Sequence, residues 1–260
     1  MTISASQKSP LPPKPARPDH IRPGPDGIMI WENEAPLDYD DAVAAMEAHV
    51  TAMQAGKAPE VLWFLQHHPV YTGGSSAKDA ELLLSPQDIN APAAHLPTAK
   101  PPIIRATGRG GQWTYHAPGQ RIAYIMLDLN RRGRDIRAFV RGIEAWGIAA
   151  CAAFGVTATR RHGAPGIWIN SNNDKIAAIG VRLSRWISWH GIAINVSAAM
   201  LDGFQHIIPC GINGAGVAAL EQCTDQPPDH LMARLDQVLM AEFANTLGRY
   251  MDSDIANSAP

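Results

Sequence analysis

This chain of 260 residues predicts an α+β fold, a mixed β-sheet with helices packed on it. Apolar stretches of strand character come in runs, not in strict alternation with helices. Three longer segments carry helical periodicity instead. Hydrophobic residues make up 46% and charged residues 18%, which suits a globular protein with a substantial core.

The elements follow in order. Residues 1–26 hold Pro10, Pro12, Pro13, Pro15, Pro18, Pro23 and Pro25, too dense for a helix or a ladder, so a disordered or polyproline-like tail is expected. The body of the expected single domain covers 27–250, with a flexible end at 251–260. DYDDAVAAMEAHVTAMQAGK places Val43, Met46, Val50 and Met53 on one helical face, with acids at its start and Gly56 after it. VLWFLQ (61–66) reads as a buried strand and HHPVYTGGSS as a loop. Residues 78–102 read as an irregular excursion.

IIRAT (103–107) and GQRIAYIMLDL (119–129) read as strands around a glycine-rich loop. A helix over 134–154 follows, its buried stripe made of Ile136, Phe139, Val140, Ile143 and Trp146, and stopped by Gly155. VTATR, GIWI, KIAAIGVRL and WHGIAINV give four more strands. The last helix carries Leu231, Leu235, Val238, Leu239 and Leu247 on one face.

Net charge is −2, so the strongly basic signature of a nucleic-acid binder is missing. No apolar run approaches the roughly 18 residues of a membrane span, and the first twenty residues lack an export-type apolar stretch. Three cysteines in no regular framework suit a reducing compartment, and the cytoplasm is the expectation.

Three strings carry candidate chemistry. In RGGQWTYHAPGQ (109–120), Gly110 and Gly111 let backbone approach a ligand, while Thr114 and His116 add polar groups on alternate positions. A plain structural hairpin stays open as the alternative on this string alone. In NNDKIAAIGVRL, Lys175 opens an apolar strand, where burial and neighbours tune an amine for acid–base work; a solvated surface lysine is the alternative. In IIPCGI, Pro209 and Gly211 hold Cys210 in a turn that can present its sulfur. A thiol needs a neighbouring base or cation to become a nucleophile, and Lys175, His116, His190 and His206 are the candidates. Cys151 and Cys223 read as structural. His67–His68 lacks a spaced third ligand, so no metal site is expected.

Six strings together resemble the lipoyl(octanoyl) transferases. They are QHHPVYTGG (66–74), RGGQWTYHAPGQ (109–120), APGIWI (164–169), KIAAIGVRLSR (175–185), WHGIAINV (189–196) and FQHIIPCGI (204–212). The resemblance implies a fold like the biotin- and lipoate-ligase catalytic domains. It implies Cys210 as acyl-accepting nucleophile and Lys175 as its activating partner, with no cofactor. It also implies an acyl site lined by Arg109, Gly110, Gly111, Gln112, Trp113, Thr114, Tyr115, His116, Ala178, Ile179, Gly180, Gly191, Ile192 and Ala193.

The implied partners are octanoyl-loaded acyl carrier protein and lipoyl-domain acceptors, served by a monomer without nucleic acid or membrane. Two departures stand out: Ala218 replaces a usual Thr, and GGSSA follows YT where relatives carry Gly then Arg. An ATP-dependent lipoate or biotin ligase would share the fold without needing the cysteine, and a non-catalytic lipoyl-domain binder would share the surface. Eight arginines (105, 109, 121, 131, 132, 134, 137, 141) face only Asp128 and Asp135 between 104 and 141. Arg131, Arg132, Arg134 and Arg137 are therefore expected to help dock an acidic carrier.

Overall fold

Two sheets organise the described residues of the computed structural model, which are 12–85, 100–169, 174–208, 216–224 and 228–249. In chain order the strands are β1 (His20–Pro23), β2 (Met29–Glu32), β3 (Val61–Leu65), β4 (Val70–Gly73), β5 (Ile103–Ala106) and β6 (Trp113–His116). They continue as β7 (Gln120–Met126), β8 (Ala158–Thr159), β9 (Ile167–Ile169), β10 (Lys175–Ser184) and β11 (Ile187–Asn195). The larger sheet runs β1-β2-β3-β7-β11-β10-β9-β8, and the smaller β5-β4-β6. β2 with β3 and β4 with β5 are parallel, while the remaining pairs are antiparallel, so both sheets are mixed.

The helices are α1 (Tyr39–Gln54), α2 (Ile136–Ala152), the single turn α3 (Leu220–Cys223) and α4 (Pro228–Phe243), which continues as a π-helical turn, Ala244–Gly248. The period-2 pleat decides which helix covers which face. Leu62, Phe64, Ala123 and Ile125 point into the cluster beneath α2 and α4, with Phe139, Ile143, Trp146 and Leu239. Their neighbours Val61, Trp63, Leu65, Ile122 and Tyr124 point to the opposite side, where Met46 and Val50 of α1 cover them. Trp146 Nε1 donates to the Leu239 carbonyl at 2.6 Å and ties α2 to α4. A third cluster joins the small sheet to the 3₁₀ segment Ala198–His206 through Tyr71, Tyr115, Phe204 and Ile207.

Four expectations need correction. VYTG inside the predicted 67–76 loop is β4, and WTYH inside the glycine-rich loop is β6; each is too short for periodicity to show, and pairing with the other makes both. Within the expected tail, His20–Pro23 joins the sheet as β1, at the edge, where Pro23 forfeits no interior ladder bond. Ile136, assigned to the buried stripe of the mid-chain helix, is 43% exposed, because it is the first helical residue and lies at the rim of a cavity. Residues 1–11, 86–99 and 251–260 lie outside the described residues.

The β10–β11 hairpin is the platform of the site. Its register runs unbroken from Ala177↔Ile194 to Ser184↔Ile187, and Arg185 and Trp186 close it with φ of 50° and 66°. Positive φ at both central residues matches the strand twist that tight hairpins require.

Candidate active site

The loop after β5 folds back onto this hairpin. Gly110 N–H donates to the Val181 carbonyl at 2.9 Å, and the Ser75 and Ser76 N–H groups donate to the Arg109 and Gly111 carbonyls at 2.9 and 3.0 Å. Gly180 makes the approach possible, since a Cβ there would meet Arg109 Cδ at 2.9 Å and the Gly110 carbonyl oxygen at 3.0 Å. Arg109 turns inward and is 7% exposed; its Nη2 donates to the Thr72 carbonyl and Oγ1 at 2.5 and 2.7 Å.

From Thr72 a directed chain of hydrogen bonds crosses the site. The Thr72 hydroxyl reaches His116 Nε2 at 3.3 Å, and His116 Nδ1 donates to Gln120 Oε1 at 2.7 Å. Gln120 Nε2 donates to Asn195 Oδ1 at 2.9 Å, and Asn195 Nδ2 to the Ala218 carbonyl at 3.0 Å. The Ala218 N–H then donates to the Lys175 carbonyl at 3.0 Å. Because each amide and imidazole has one role fixed by the next, the chain sets the tautomer of His116 with its proton on Nδ1.

These elements enclose a cavity of about 420 Å³. Of the residues the resemblance implies, Arg109 to Thr114, His116, Ala178 to Gly180 and Gly191 to Ala193 line it, together with Lys175. Tyr115 does not: it points from β6 to the far side, packed on Tyr71 and Phe204. Thr114 and His116, the residues on either side of it, project from the opposite face of β6, toward the cavity. Cys210 lies outside the described residues, as does Gly211. Val217 and Phe204, on either side of that stretch, both line the cavity.

Lys175 is 6% exposed, and its Nζ donates to the Pro165 carbonyl at 2.9 Å and sits 4.9 Å from the centroid of the Trp168 ring. The Arg161 guanidinium lies 4.8 Å from the same ring. Gly166, at φ 134°, leaves room for the arm: a Cβ there would lie 2.7 Å from Lys175 Cε. Glu144 of α2, itself buried, accepts the Gly166 N–H at 3.4 Å from beneath. Among the described lining residues Arg109 and Lys175 are the cations, and no carboxylate is present.

Several lining or supporting residues have no functional signal of their own in the sequence, or, like His67, one read only against a metal role. Tyr39, Tyr124 and Asn195 line the cavity, and Gln120 and His67 support it. His67 Nδ1 donates to the Leu37 carbonyl at 3.1 Å, which leaves Nε2 to accept the Tyr124 hydroxyl at 2.6 Å. Burial pushes His67 down to about 4 and His190 to about 3, and takes His116 well below the usual imidazole range, so all three are neutral. Burial likewise pushes Tyr39 up to about 12. The signal for Gln120 and Asn195 lay inside quoted motifs, but only the fold shows that they touch. His206, offered as a partner for the thiol, is near Gln205 Nε2 at 3.3 Å and does not line the cavity.

No cluster of three His, Cys, Asp or Glu side chains that could hold a metal occurs among the described residues. No helix among them is long and apolar enough to cross a membrane.

A mixed sheet carrying a buried lysine and a glycine-rich loop on one cavity defines a protein of the lipoate-ligase fold. The chain resembles a bipartite lipoate protein ligase of Thermoplasma acidophilum, described with its E2 lipoyl domain, at TM-score 0.55 and 15% identity over 82% of each chain. It resembles lipoate-protein ligase A bound with ATP at TM-score 0.53 and 15% identity, over 77% of this chain and 79% of that one. Likeness at such identity concerns the fold alone. Residues 38–244 match the lipoyl protein ligase A/B catalytic domain.

The sequence narrows this further. An octanoyltransferase of Paracoccus denitrificans is 48% identical over 218 residues, 80% of this chain and 91% of its own. One from Bradyrhizobium diazoefficiens is 50% identical, over 83% of this chain and 82% of its own. The chain belongs to the octanoyltransferase family and is an acyltransferase.

Proposed function

We propose that this enzyme moves an octanoyl group from acyl carrier protein to the lysine of lipoyl domains through a thioester on Cys210. The supporting observation is the stitching of Lys175 to the chain just after that cysteine. Lys175 N–H donates to the carbonyl of Gly216, six positions beyond Cys210, at 3.0 Å, and Lys175 pairs with Val217.

The Cys210 thiolate, its proton held by Lys175, attacks the donor's thioester carbonyl; the carrier's thiolate leaves and takes up that proton, which leaves Lys175 neutral. One thioester replaces another, so this step is close to isoenergetic. The acceptor amine then attacks octanoyl-Cys210, its proton passes to Lys175 in the neutral form, and Cys210 leaves as thiolate. Amide formation draws the second step downhill. The oxyanion of each tetrahedral intermediate needs backbone N–H donors, with Gly211 the candidate from the sequence. A lysine set against the Trp168 face keeps its nitrogen in one place for both proton movements.

The uncharged walls around Ile122, Ile179, Ile192 and Ala193 suit an acyl tail. Seven carbons beyond the carbonyl, at about 0.8 kcal/mol each, supply at most about 5–6 kcal/mol, so length is read modestly unless the cavity ends in a wall. We place the reaction in the cytoplasm, as a monomer without cofactor, consistent with the thiol usage of the sequence.

Intact mass spectrometry tests the reading. Wild-type protein incubated with octanoyl-loaded carrier should gain one octanoyl group, lose it to hydroxylamine, and pass it to a lipoyl domain. Persistence of the adduct in Cys210→Ala would overturn the assignment.

A further inference from the structure

Seven of the eight arginines in this segment divide in two by their contacts, while Arg141 is half-buried in α2. Arg105 is paired with Asp40 at 2.7 Å, Arg121 with Asp236 at 2.8 Å and Arg132 with Glu60 at 2.5 Å, while Arg109 is buried in the site. Arg131, Arg134 and Arg137 are exposed, and they flank Ile136, which is 43% exposed and lines the cavity rim. Asp135, the acid among them, is engaged as a helix cap, its Oδ1 accepting the Arg137 and Ala138 N–H groups at 2.8 and 3.0 Å.

A second patch adjoins the first. The hairpin tip docks on the start of this segment: Leu129 N–H donates to the Trp186 carbonyl at 2.8 Å, and Asn130 Nδ2 to the Arg185 carbonyl at 3.0 Å. Arg185 is exposed and Trp186 is 36% exposed. Four exposed guanidiniums and two exposed large apolar side chains thus lie on two segments that these bonds join, the mixture of charge and apolar surface that a protein-docking face carries.

We propose that this surface, built from Arg131, Arg134, Ile136, Arg137, Arg185 and Trp186, docks the acidic protein that carries the acyl donor. The inference rests on the acyl-thioester reading above. At the rim, the charge of the incoming group favours the donor's arm over the acceptor's lysine. The acceptor must bring a lysine, an ammonium in water, past whatever rim it crosses, and a rim of arginines opposes it. The donor brings a neutral thioester on a phosphodiester-linked arm, whose negative charge the same rim favours. Arg132, grouped with the others by sequence, is excluded because it holds Glu60.

The test compares wild type with the triple variant Arg131→Glu, Arg134→Glu, Arg137→Glu. Three quantities are measured: kcat/KM for octanoyl carrier protein, kcat/KM for octanoyl-pantetheine, and KM for a lipoyl domain. The expected result is a fall of about tenfold or more with the carrier at low salt, a smaller fall at high salt, and less than twofold change in the other two. A rise in the lipoyl-domain KM with the donor terms unchanged would assign the surface to the acceptor and overturn the proposal. Equal losses with carrier and pantetheine donors, or no loss with either, would also overturn it. Failure of the functional reading is separate: wild type would then form no acyl-enzyme with either donor.

Discussion

Gln120 Nε2 donates to Asn195 Oδ1 at 2.9 Å, joining the first residue of β7 to the last of β11. Both are buried, at 0% and 3% exposure, in the middle of the chain that runs from Arg109 to the Lys175 backbone. Removing one partner leaves the other buried and unpaired, at a cost of about 1–3 kcal/mol. Asn195→Leu should therefore lower stability by that amount in urea denaturation and reduce kcat through a displaced Ala218–Lys175 contact. Gln120→Leu combined with Asn195→Leu should lose less than the sum of the single variants, since the two act in one network.

Trp168 is expected to act as a positioning residue for Lys175. A cation–π contact of this kind contributes about 0.5–2 kcal/mol. Trp168→Ala should lower kcat about tenfold with little change in KM for the donor, and should shift the pH–rate profile, which a merely structural role would leave alone. Trp168→Phe, which retains an aromatic face, should restore most of the rate. Stopped-flow acylation with octanoyl carrier protein separates this from an effect on product release.

Acid should destabilise the protein through its buried imidazoles. His67 falls to about 4 and His190 to about 3 from an ordinary 6.5, with desolvation the main cause in each. Their pKa values are lower in the fold, so the unfolded chain binds more protons below pH 6.5. Stability is full above that pH and declines as pH falls toward about 4, by up to about 1.4 kcal/mol per pH unit for each histidine. Melting temperature measured from pH 7 to 4.5 should trace this decline, and His190→Gln should flatten it. A Tm that holds constant across that range would contradict the neutral-histidine cluster.

Gly180 sets how close the Arg109 loop comes to β10. Gly180→Ala would place a methyl 2.9 Å from Arg109 Cδ and 3.0 Å from the Gly110 carbonyl oxygen, so the loop must shift. Donor KM should rise about tenfold or more, while urea denaturation changes by less than about 2 kcal/mol, because the strand ladder itself is untouched. Loss of the folded state instead would show the loop to be structural first.

Trp146 anchors α2 to α4 from a fully buried position. Trp146→Ala should cost about 3–5 kcal/mol in urea denaturation through the cavity left behind. Trp146→Phe should cost less, chiefly the lost hydrogen bond to the Leu239 carbonyl.

The α+β class, the three longer helices to within a few residues, the principal strands of the large sheet and the six motif strings that belong together are all legible along the chain. Periodicity and turn residues are local signals, and these elements are long enough to express them. β4 and β6 escaped because four residues carry no readable period, and Ile136 because a helical stripe does not reveal which of its ends meets a cavity. That Tyr115 leaves the site its neighbours line, and that Gln120, Asn195 and His116 form one network, emerges from the packing of distant segments. The same packing sets which arginines of a single run pair with Glu60, Asp40 and Asp236 and which remain exposed. Charge partners come from distant segments, 72 residues apart for Arg132 and Glu60, and no window along the chain contains both.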